Sequence, residues 1–192
     1  MITTEQIKSL RDSTGVSVMQ CKKALEAAGG DREKALVMLR KKGAELAEKK
    51  GDRTLGAGTI AAYVHGNGGI AAVVVLRSET DFVSNNEEFK VLARDIAMHV
   101  AAQNPEFLRM SDVTEVAKKA ASEVFAGEVA GKPEALREKI LAGKLDAYFK
   151  DKVLLEQPFI KNPEVTINGL LQNAIQKFGE KIEIAQFSRF SV

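Results

Sequence analysis

Apolar and polar residues recur with helical periodicity over about the first fifty residues, which predicts three short helices joined by tight turns. Thr3 and Gln6 have the spacing of a capping box at the start of the first helix. Gly15 is predicted to end that helix, because glycine readily adopts the left-handed backbone found at helix ends. The second helix carries one apolar stripe, formed by Val18, Cys21, Leu25 and Ala28. Residues 1–52 are therefore predicted to form a compact helical head.

The period of the pattern changes beyond a charged and then glycine-rich linker at 49–58. Two β-branched apolar runs follow, at 59–64 and 70–76, and an Asn-Gly pair lies in the short segment between them. Asn-Gly between such runs favours a primed turn, so this region is predicted to be a β-hairpin. A further apolar run at 181–190 predicts a last strand.

Helical patterns fill most of the chain between the hairpin and the last strand. Ser84 and Glu87 have capping-box spacing and are predicted to open a helix. One face of that helix carries Phe89, Leu92, Ala93, Ile96 and Val100. Residues 112–130 and 134–150 are predicted to form two more helices on either side of a Gly-Lys-Pro connection.

The last part of the chain combines proline-containing dipeptides with one short helix. Gln157-Pro158 and Asn162-Pro163 predict a loop. Residues 166–178 predict a helix that ends at the following glycine. The predicted fold class is α+β, with a three-helix head at 1–52. Residues 53–192 are predicted to form a core domain in which a small antiparallel sheet packs against helices.

Composition and charge narrow the function classes. Hydrophobic residues make up 45% of the chain and charged residues 28%, which is typical of a globular protein. The net charge of +2 is too small for a dedicated nucleic-acid binder, and without tryptophan there are few platforms for stacking bases. We therefore expect no direct nucleic-acid contact. The lysine-rich segment at 40–50 is interpreted as a solvated helix face, with RNA contact as the alternative.

Candidate chemistry is scarce. His65 and His99 share no metal-ligand spacing, and the single cysteine, Cys21, lies on an apolar stripe and is interpreted as a small buried hydrophobe. The glycines at 51–58 lack the lysine that a phosphate-binding loop requires. We expect no catalytic residues, no metal and no cofactor. The N-terminus lacks the layout of a secretory signal, and the longest apolar runs are too short to span a bilayer, so a cytoplasmic protein without membrane contact is predicted.

One polar stretch, at 78–87, contains a phenylalanine that folding alone does not readily explain. Phe82 stands where a strand is predicted to turn into a helix. Two interpretations are open. The ring could tuck under the helix as a core anchor, or it could point outward for a partner.

Five short motifs, in order along the chain, resemble those of the translation elongation factor Ts family. The central one is TDFV at 80–83, which follows an Arg-x-Glu sequence. The head carries LRDSTG at 10–15 and MQCKKAL at 19–25. Near the end, QPF at 157–159 precedes a helix, and FSRF at 187–190 lies in the last strand. The chain resembles the short form of the family, which has one core half instead of two.

The resemblance implies a function and a set of site residues. The head would be similar to a ubiquitin-associated domain, and the partner would be the GTPase elongation factor Tu, from which the family promotes nucleotide release. Where the strand is predicted to turn into a helix, the implied contact residues are Thr80, Asp81, Phe82 and Val83. Those implied in the head are Arg11, Val18, Met19 and Lys22; the family often has methionine where this chain has Val18.

Self-association is a further expectation. Under strict alternation, Ile182, Ile184 and Phe190 lie on one face of the last strand and Phe187 on the other, which would leave both faces apolar. Symmetric pairing could then supply the surface of a missing second core half. A β-bulge near Ala185 is the competing interpretation, because it would return Phe187 to the first face.

An adaptor that binds ubiquitin or RNA through a similar head is the alternative function.

Overall fold

The computed structural model describes residues 2–129, 131 and 133–192. The head consists of three helices, α1 (Thr4–Thr14), α2 (Val18–Ala27) and α3 (Arg32–Lys49), which confirms the helices predicted there. The capping box also forms: the Gln6 N–H donates to Thr3 Oγ1 (3.2 Å), and the Thr3 N–H donates to Gln6 Oε1 (2.9 Å). Residue 1, predicted as the start of the head, lies outside the described residues.

The head has its own apolar core. Its fully buried members are Leu10, Val16, Cys21, Leu25 and Ala35. Val18, which the sequence placed on the buried stripe of α2, is instead 53% exposed. The buried stripe begins one turn later, at Cys21, so the first turn of α2 leaves its apolar side chains in solvent.

The chain after the head contains a three-stranded and a two-stranded antiparallel sheet, together with five further α-helices among the described residues. The strands are β1 (Ala57–His65), β2 (Ile70–Ser78), β3 (Pro158–Phe159), β4 (Asn162–Thr166) and β5 (Ile182–Ser191). The helices are α4 (Asp81–Ser84), α5 (Glu87–Gln103), α6 (Glu115–Val129), α7 (Glu134–Lys150) and α8 (Ile167–Phe178). The larger sheet has the order β1-β2-β5, so the chain is mixed α+β with a small antiparallel sheet, as predicted.

Helices cover one face of the larger sheet and form the main core with it. Helix α5 packs against β1, β2 and β5, while α8 packs against β5 and α3. The sheet contributes the buried residues Ala72, Val74, Leu76, Ile182 and Ile184. The helix α5 contributes Phe89, Ala93, Ile96, Ala97 and Val100. The pattern of apolar residues on α5 is therefore the one that the sequence predicts.

The start of α5 differs from the prediction. Ser84 does not cap this helix, because it is itself the last residue of α4. Asn86 takes the cap position with the extended backbone that a cap requires, and its Oδ1 accepts a hydrogen bond from the Glu88 N–H (2.9 Å). The chain therefore makes one extra short turn before α5 begins.

The segment predicted as a proline-rich loop forms a short hairpin. Pro158 pairs with Thr166 and Phe159 with Asn162, in strands β3 and β4. Proline is tolerated at the first residue of a strand or on a sheet edge, because the missing N–H is not needed there. The prediction of a loop is therefore wrong, because both prolines lie in strands.

The last strand contains a β-bulge. The pairing of β2 with β5 shifts between Val75, which faces Gln186, and Leu76, which faces Ile184. Ala185 is thus the extra residue, as the competing interpretation expected. Phe187 packs against the main core, whereas Phe190 is 62% exposed on the opposite face. Strict alternation had predicted the reverse.

The helices α6 and α7 pack on each other and form a separate small cluster around Val113, Ala121, Phe149 and Val153. Both were predicted; residue 130, the predicted end of the first, and residue 132, in the connection, lie outside the described residues. Within the described chain, no helix has the length and apolar character needed to cross a bilayer.

Candidate partner-binding site

The connection between β2 and α5 contains a single helical turn, α4, formed by Asp81–Ser84. Thr80 precedes it with an extended backbone (φ −123°, ψ 159°). Two backbone hydrogen bonds close the turn: the Ser84 N–H donates to the Thr80 carbonyl (3.3 Å), and the Asn85 N–H donates to the Asp81 carbonyl (2.9 Å). We call residues 80–84 the corner.

Phe82 points out of the corner into solvent, since 84% of its surface is exposed. The next residue, Val83, is only 3% exposed and packs in the main core with Leu76 and Phe89. Neighbouring positions on a helix point about 100° apart, so burying Val83 turns Phe82 away from the core. The interpretation of Phe82 as a core anchor is therefore wrong, and Val83 has that role.

Two glutamates fasten the corner to the turn between α8 and β5. The Glu180 carboxylate accepts hydrogen bonds from the Thr80 N–H (3.0 Å) and from the Thr80 hydroxyl (2.6 Å). In the opposite direction, Glu79 Oε1 accepts a hydrogen bond from the Lys181 N–H (2.5 Å). Arg53 donates to both carboxylate oxygens of Glu79 (3.3 and 3.1 Å). The corner is thus held by a segment 100 residues further along the chain.

The groups around Glu79 favour the ionised form of its carboxyl. The hydrogen bond from the Lys181 N–H does most to lower the pKa of Glu79. Partial burial of the carboxyl opposes that effect, and the hydrogen bond and positive charge of Arg53 add to it. An ionised carboxylate only accepts hydrogen bonds, which matches the donors that face it.

The predicted head residues lie near the junction of α1 and α2, and their side chains face solvent. Met19 is 68% exposed and Val18 is 53% exposed. Arg11 and Lys22 are exposed as well. The head thus places two uncovered apolar side chains beside two positive charges.

A cleft of about 260 Å³ lies between this part of the head and the core. Asp12 and Gly15 line it from the head, and Glu88 and Lys177 line it from the core. Burial lowers the pKa of Lys177, and the positive charge of Arg11 adds to this effect, so the end of α1 lies within electrostatic range of α8. Residues 12–15 line the cleft on the side of the head, and Glu88, in the first turn of α5, lines it on the side of the core.

Two buried polar side chains of the core, His99 and Gln157, have structural hydrogen-bond partners. His99 Nε2 donates to Gln157 Oε1 (2.9 Å), because its Nδ1 accepts from the Ile160 N–H (3.4 Å). Gln157 in turn donates to the Asp151 carbonyl (2.6 Å). Burial lowers the pKa of His99, and the contact with Gln157 opposes this shift. Among the described residues, no group of three or more His, Cys, Asp or Glu side chains could hold a metal ion.

Sequence reasoning missed two of these supporting residues. Gln157 belongs to the QPF motif, so the motif carried a signal, but its hydrogen bonds to His99 were not predictable from spacing. Glu180 gave no local signal. Its bond with Thr80 arises only because β2 and β5 lie side by side in the sheet.

The uncovered face of the larger sheet is also apolar. Ile60 is 71% exposed, Val64 61% and Phe190 62%. Val64 pairs with Ala71, and Ala71 pairs with Phe190. Val64, Ala71 and Phe190 therefore form one row across the sheet. We call this surface the outer sheet face. Its exposed apolar side chains are typical of a protein contact surface rather than of a polar, solvated sheet.

Comparison with known proteins gives a consistent result. The sequence model of the family described as "Elongation factor TS" matches residues 48–192. Proteins named "Elongation factor Ts" match the chain over its whole length, including the head. Those from Carboxydothermus hydrogenoformans and Thermodesulfovibrio yellowstonii are 46% and 44% identical, and the match covers 100% of this chain and 89% and 96% of the relatives. The one from Thermosipho melanesiensis is 44% identical, with 100% and 99% covered.

Proposed function

The chain belongs to the elongation factor Ts family, and from that premise we propose that it is a guanine-nucleotide exchange factor for the translational GTPase elongation factor Tu. In this role it binds the GTPase domain and promotes the release of GDP during protein synthesis in the cytoplasm. It catalyses no covalent step. The observation that carries the proposal is the fully presented ring of Phe82, 84% exposed on a turn that hydrogen bonds hold in place.

Linkage explains how a site without catalytic groups can act. A factor that binds the nucleotide-free GTPase more tightly than the nucleotide-bound form must weaken nucleotide binding by the same ratio. Burying one phenylalanine in the partner contributes about 1.5–3 kcal/mol. That energy corresponds to about one to two decades of affinity. Phe82 alone therefore supports a moderate acceleration.

The head supplies a second contact in this proposal. Val18 and Met19 are apolar and exposed, and Arg11 and Lys22 bring positive charge to the same surface. Two contacts on one partner act together, so the head adds affinity while the corner disturbs the nucleotide site. An adaptor for ubiquitin or RNA would use the head but would give the presented corner no role.

The test is the release of labelled GDP from purified elongation factor Tu, with and without substoichiometric amounts of the chain. We expect release to accelerate, and we expect the chain alone to hydrolyse no nucleotide. Release at the intrinsic rate in the presence of excess chain would refute the proposal. A pull-down in which nucleic acid or ubiquitin is the dominant partner would favour the adaptor.

The chain is further proposed to form a homodimer through the outer sheet face. Ile60, Val64 and Phe190 leave this face apolar, and Ala62, Val73 and Ser188 lie at its centre with no charge. An apolar surface can pair with its own copy about a twofold axis. This support differs from the one expected from strict alternation, since Phe190 rather than Phe187 is the exposed aromatic residue of β5.

Light scattering at micromolar concentration tests the dimer. We expect the mass of a dimer for the unchanged chain and that of a monomer for Ile60→Lys, because a lysine buried within an apolar contact would have to be desolvated. Val91→Lys is the matched control, since Val91 is 56% exposed on α5. A monomeric mass for the unchanged chain would exclude the dimer.

A further inference from the structure

The corner is too short to hold its own orientation. Helix α4 has four residues, far fewer than an isolated helix needs. Thr80 occupies its cap position, but the Thr80 side chain makes no cap bond to this helix. The hydroxyl donates to Glu180 instead. The orientation that a cap bond normally gives to the start of a helix thus depends on Glu180, a residue from another part of the chain.

Phe82 stands between two anchors. On one side, Val83 is 3% exposed in the main core and fixes the end of the turn. On the other side, Thr80 is fixed by both oxygens of the Glu180 carboxylate, one to its N–H and one to its hydroxyl. Two bonds from one planar group define a direction as well as a distance. Without the second anchor, Thr80 would still be held through its carbonyl, which accepts hydrogen bonds from the Ser78 hydroxyl (2.9 Å) and the Ser84 N–H (3.3 Å), but its N–H and hydroxyl would no longer fix the direction of the turn.

Glu180 can serve as an anchor because its own position is fixed from both sides. Gly179, before it, ends α8 in the left-handed conformation (φ 73°) and donates its N–H to the Ile175 carbonyl (2.9 Å). Lys181, after it, donates its N–H to Glu79. The side chain of Lys50, at the end of α3, donates to the Gly179 carbonyl (2.6 Å). The turn at 179–181 thus connects the corner to the end of α3, the last helix of the head.

We propose that Glu180 is a positioning residue for nucleotide exchange, which holds Thr80 so that Phe82 is presented in one direction. This inference rests on the proposed exchange function. Glu180 acts through Thr80 and needs no contact with the GTPase. Its loss lets Phe82 sample orientations that do not fit the partner, which lowers the rate of exchange without removing the ring.

Three variants separate this role from others. Glu180→Ala removes both hydrogen bonds, and we expect it to lower the kcat/KM of exchange about three- to tenfold, the fold-change that one or two net hydrogen bonds supply. Glu180→Gln should stay near the unchanged chain, since its amide can accept from the Thr80 N–H and donate to the Thr80 hydroxyl. Glu128→Ala is the control, because Glu128 is an exposed glutamate that bridges α6 to Lys144 on α7. It should leave exchange unchanged.

A double-mutant cycle with Phe82→Ala shows whether Glu180 acts through the ring. Positioning predicts that Glu180→Ala lowers exchange less than about twofold once Phe82 is already alanine, because residues that act as a unit are not additive. Independent, multiplying losses would overturn the proposal, since Glu180 would then act by itself. Unchanged exchange in Glu180→Ala would also overturn it.

A spectroscopic measurement on the chain alone keeps the proposal testable without a partner. With 4-fluorophenylalanine at position 82, the fluorine signal should shift and broaden in Glu180→Ala and remain unchanged in Glu180→Gln and Glu128→Ala. An unchanged signal in Glu180→Ala would overturn the positioning role. If the unchanged chain did not accelerate GDP release from elongation factor Tu, the exchange function would be overturned instead. The two failures are therefore distinguishable.

Discussion

Phe82 and Phe89 are close in the sequence but belong to two regions with different physical support. Phe89 lies on α5 with no exposed surface, and its ring meets that of Phe178 edge to face at 6.1 Å. Phe82 lies on the corner with 84% of its surface exposed. The helix is stabilised by apolar packing, whereas the corner is held largely by hydrogen bonds. One phenylalanine stabilises the fold, and the other is available to a partner.

The largest effect is expected from the buried ring. Phe89→Ala should lower the free energy of unfolding by about 3–5 kcal/mol, because it leaves a cavity in the main core. Denaturant unfolding measures this change. Exchange should fall only as the folded fraction falls. A variant with full stability would show that the core of α5 repacks around the missing ring.

The exposed ring should give the opposite pair of results. Phe82→Ala should lower exchange at least about tenfold, the lower end of what burying such a ring can supply. The melting temperature should hardly change, since little buried surface is lost. Exchange assays and thermal unfolding on the same preparation measure both. If neither quantity changes, the ring has no role in partner binding, whereas a loss of stability in proportion to activity would return Phe82 to the core.

Asp81→Ala gives a weaker test of the corner. It should lower the rate of GDP release in the same direction as Phe82→Ala. The hydrogen bonds of the turn to Asp81 use its backbone carbonyl, which alanine retains.

The buried histidine on α5 should make stability depend on pH. Burial lowers the pKa of His99 below its ordinary value of 6.5. As the pH falls below 6.5, the unfolded chain therefore binds a proton that the folded chain does not, and stability is lost. The loss approaches at most about 1.4 kcal/mol per pH unit for one proton.

His99→Gln supplies the comparison, because glutamine does not titrate and can still bond to Gln157. We expect its stability to depend less on pH between 6.5 and 5 than that of the unchanged chain, as measured by denaturant unfolding. Parallel curves for the two proteins would show that His99 is protonated without cost in the folded state.

The smallest effect concerns the boundary between the two regions. Asn86→Ala should lower the free energy of unfolding by about 1 kcal/mol, because it removes the cap of α5. Asn86→Ser should restore most of the loss, since serine is also a good cap. Asn85→Ala is the matched control, as Asn85 is the exposed neighbour that follows α4. Equal losses at both positions would contradict the assignment of Asn86 as the cap.

The division of the chain at residue 52 remains a prediction. Helix α3 ends just before this boundary, at Lys49, and its last turns pack against the main core through Leu46 and Ala47. Gly43 lies against Gln172 on α8, where an added Cβ would be in ordinary van der Waals contact at 3.4 Å. The head is therefore continuous with the core through α3, although its own apolar cluster is separate.

The sequence by itself determined the elements whose signals are local. The capping box at Thr3, the hairpin at 65–70 and the apolar face of α5 depend on residues a few positions apart, and all of them form. The site motif was also readable, because TDFV resembles a family signature. Local spacing misplaced the cap of α5, since Ser84 and Asn86 are both good caps and only the extra turn of α4 selects between them.

Tertiary structure decided the features that depend on distant residues. Phe82 is exposed because Val83 is drawn into the core, and neither outcome is fixed by polarity within the corner. The bulge at Ala185 follows from pairing with β2, which turned Phe190 outward and Phe187 inward. Thr80 meets Glu180 only when the sheet has formed, since 100 residues separate them. Periodicity reports which face of an element is apolar, but only packing shows what that face meets.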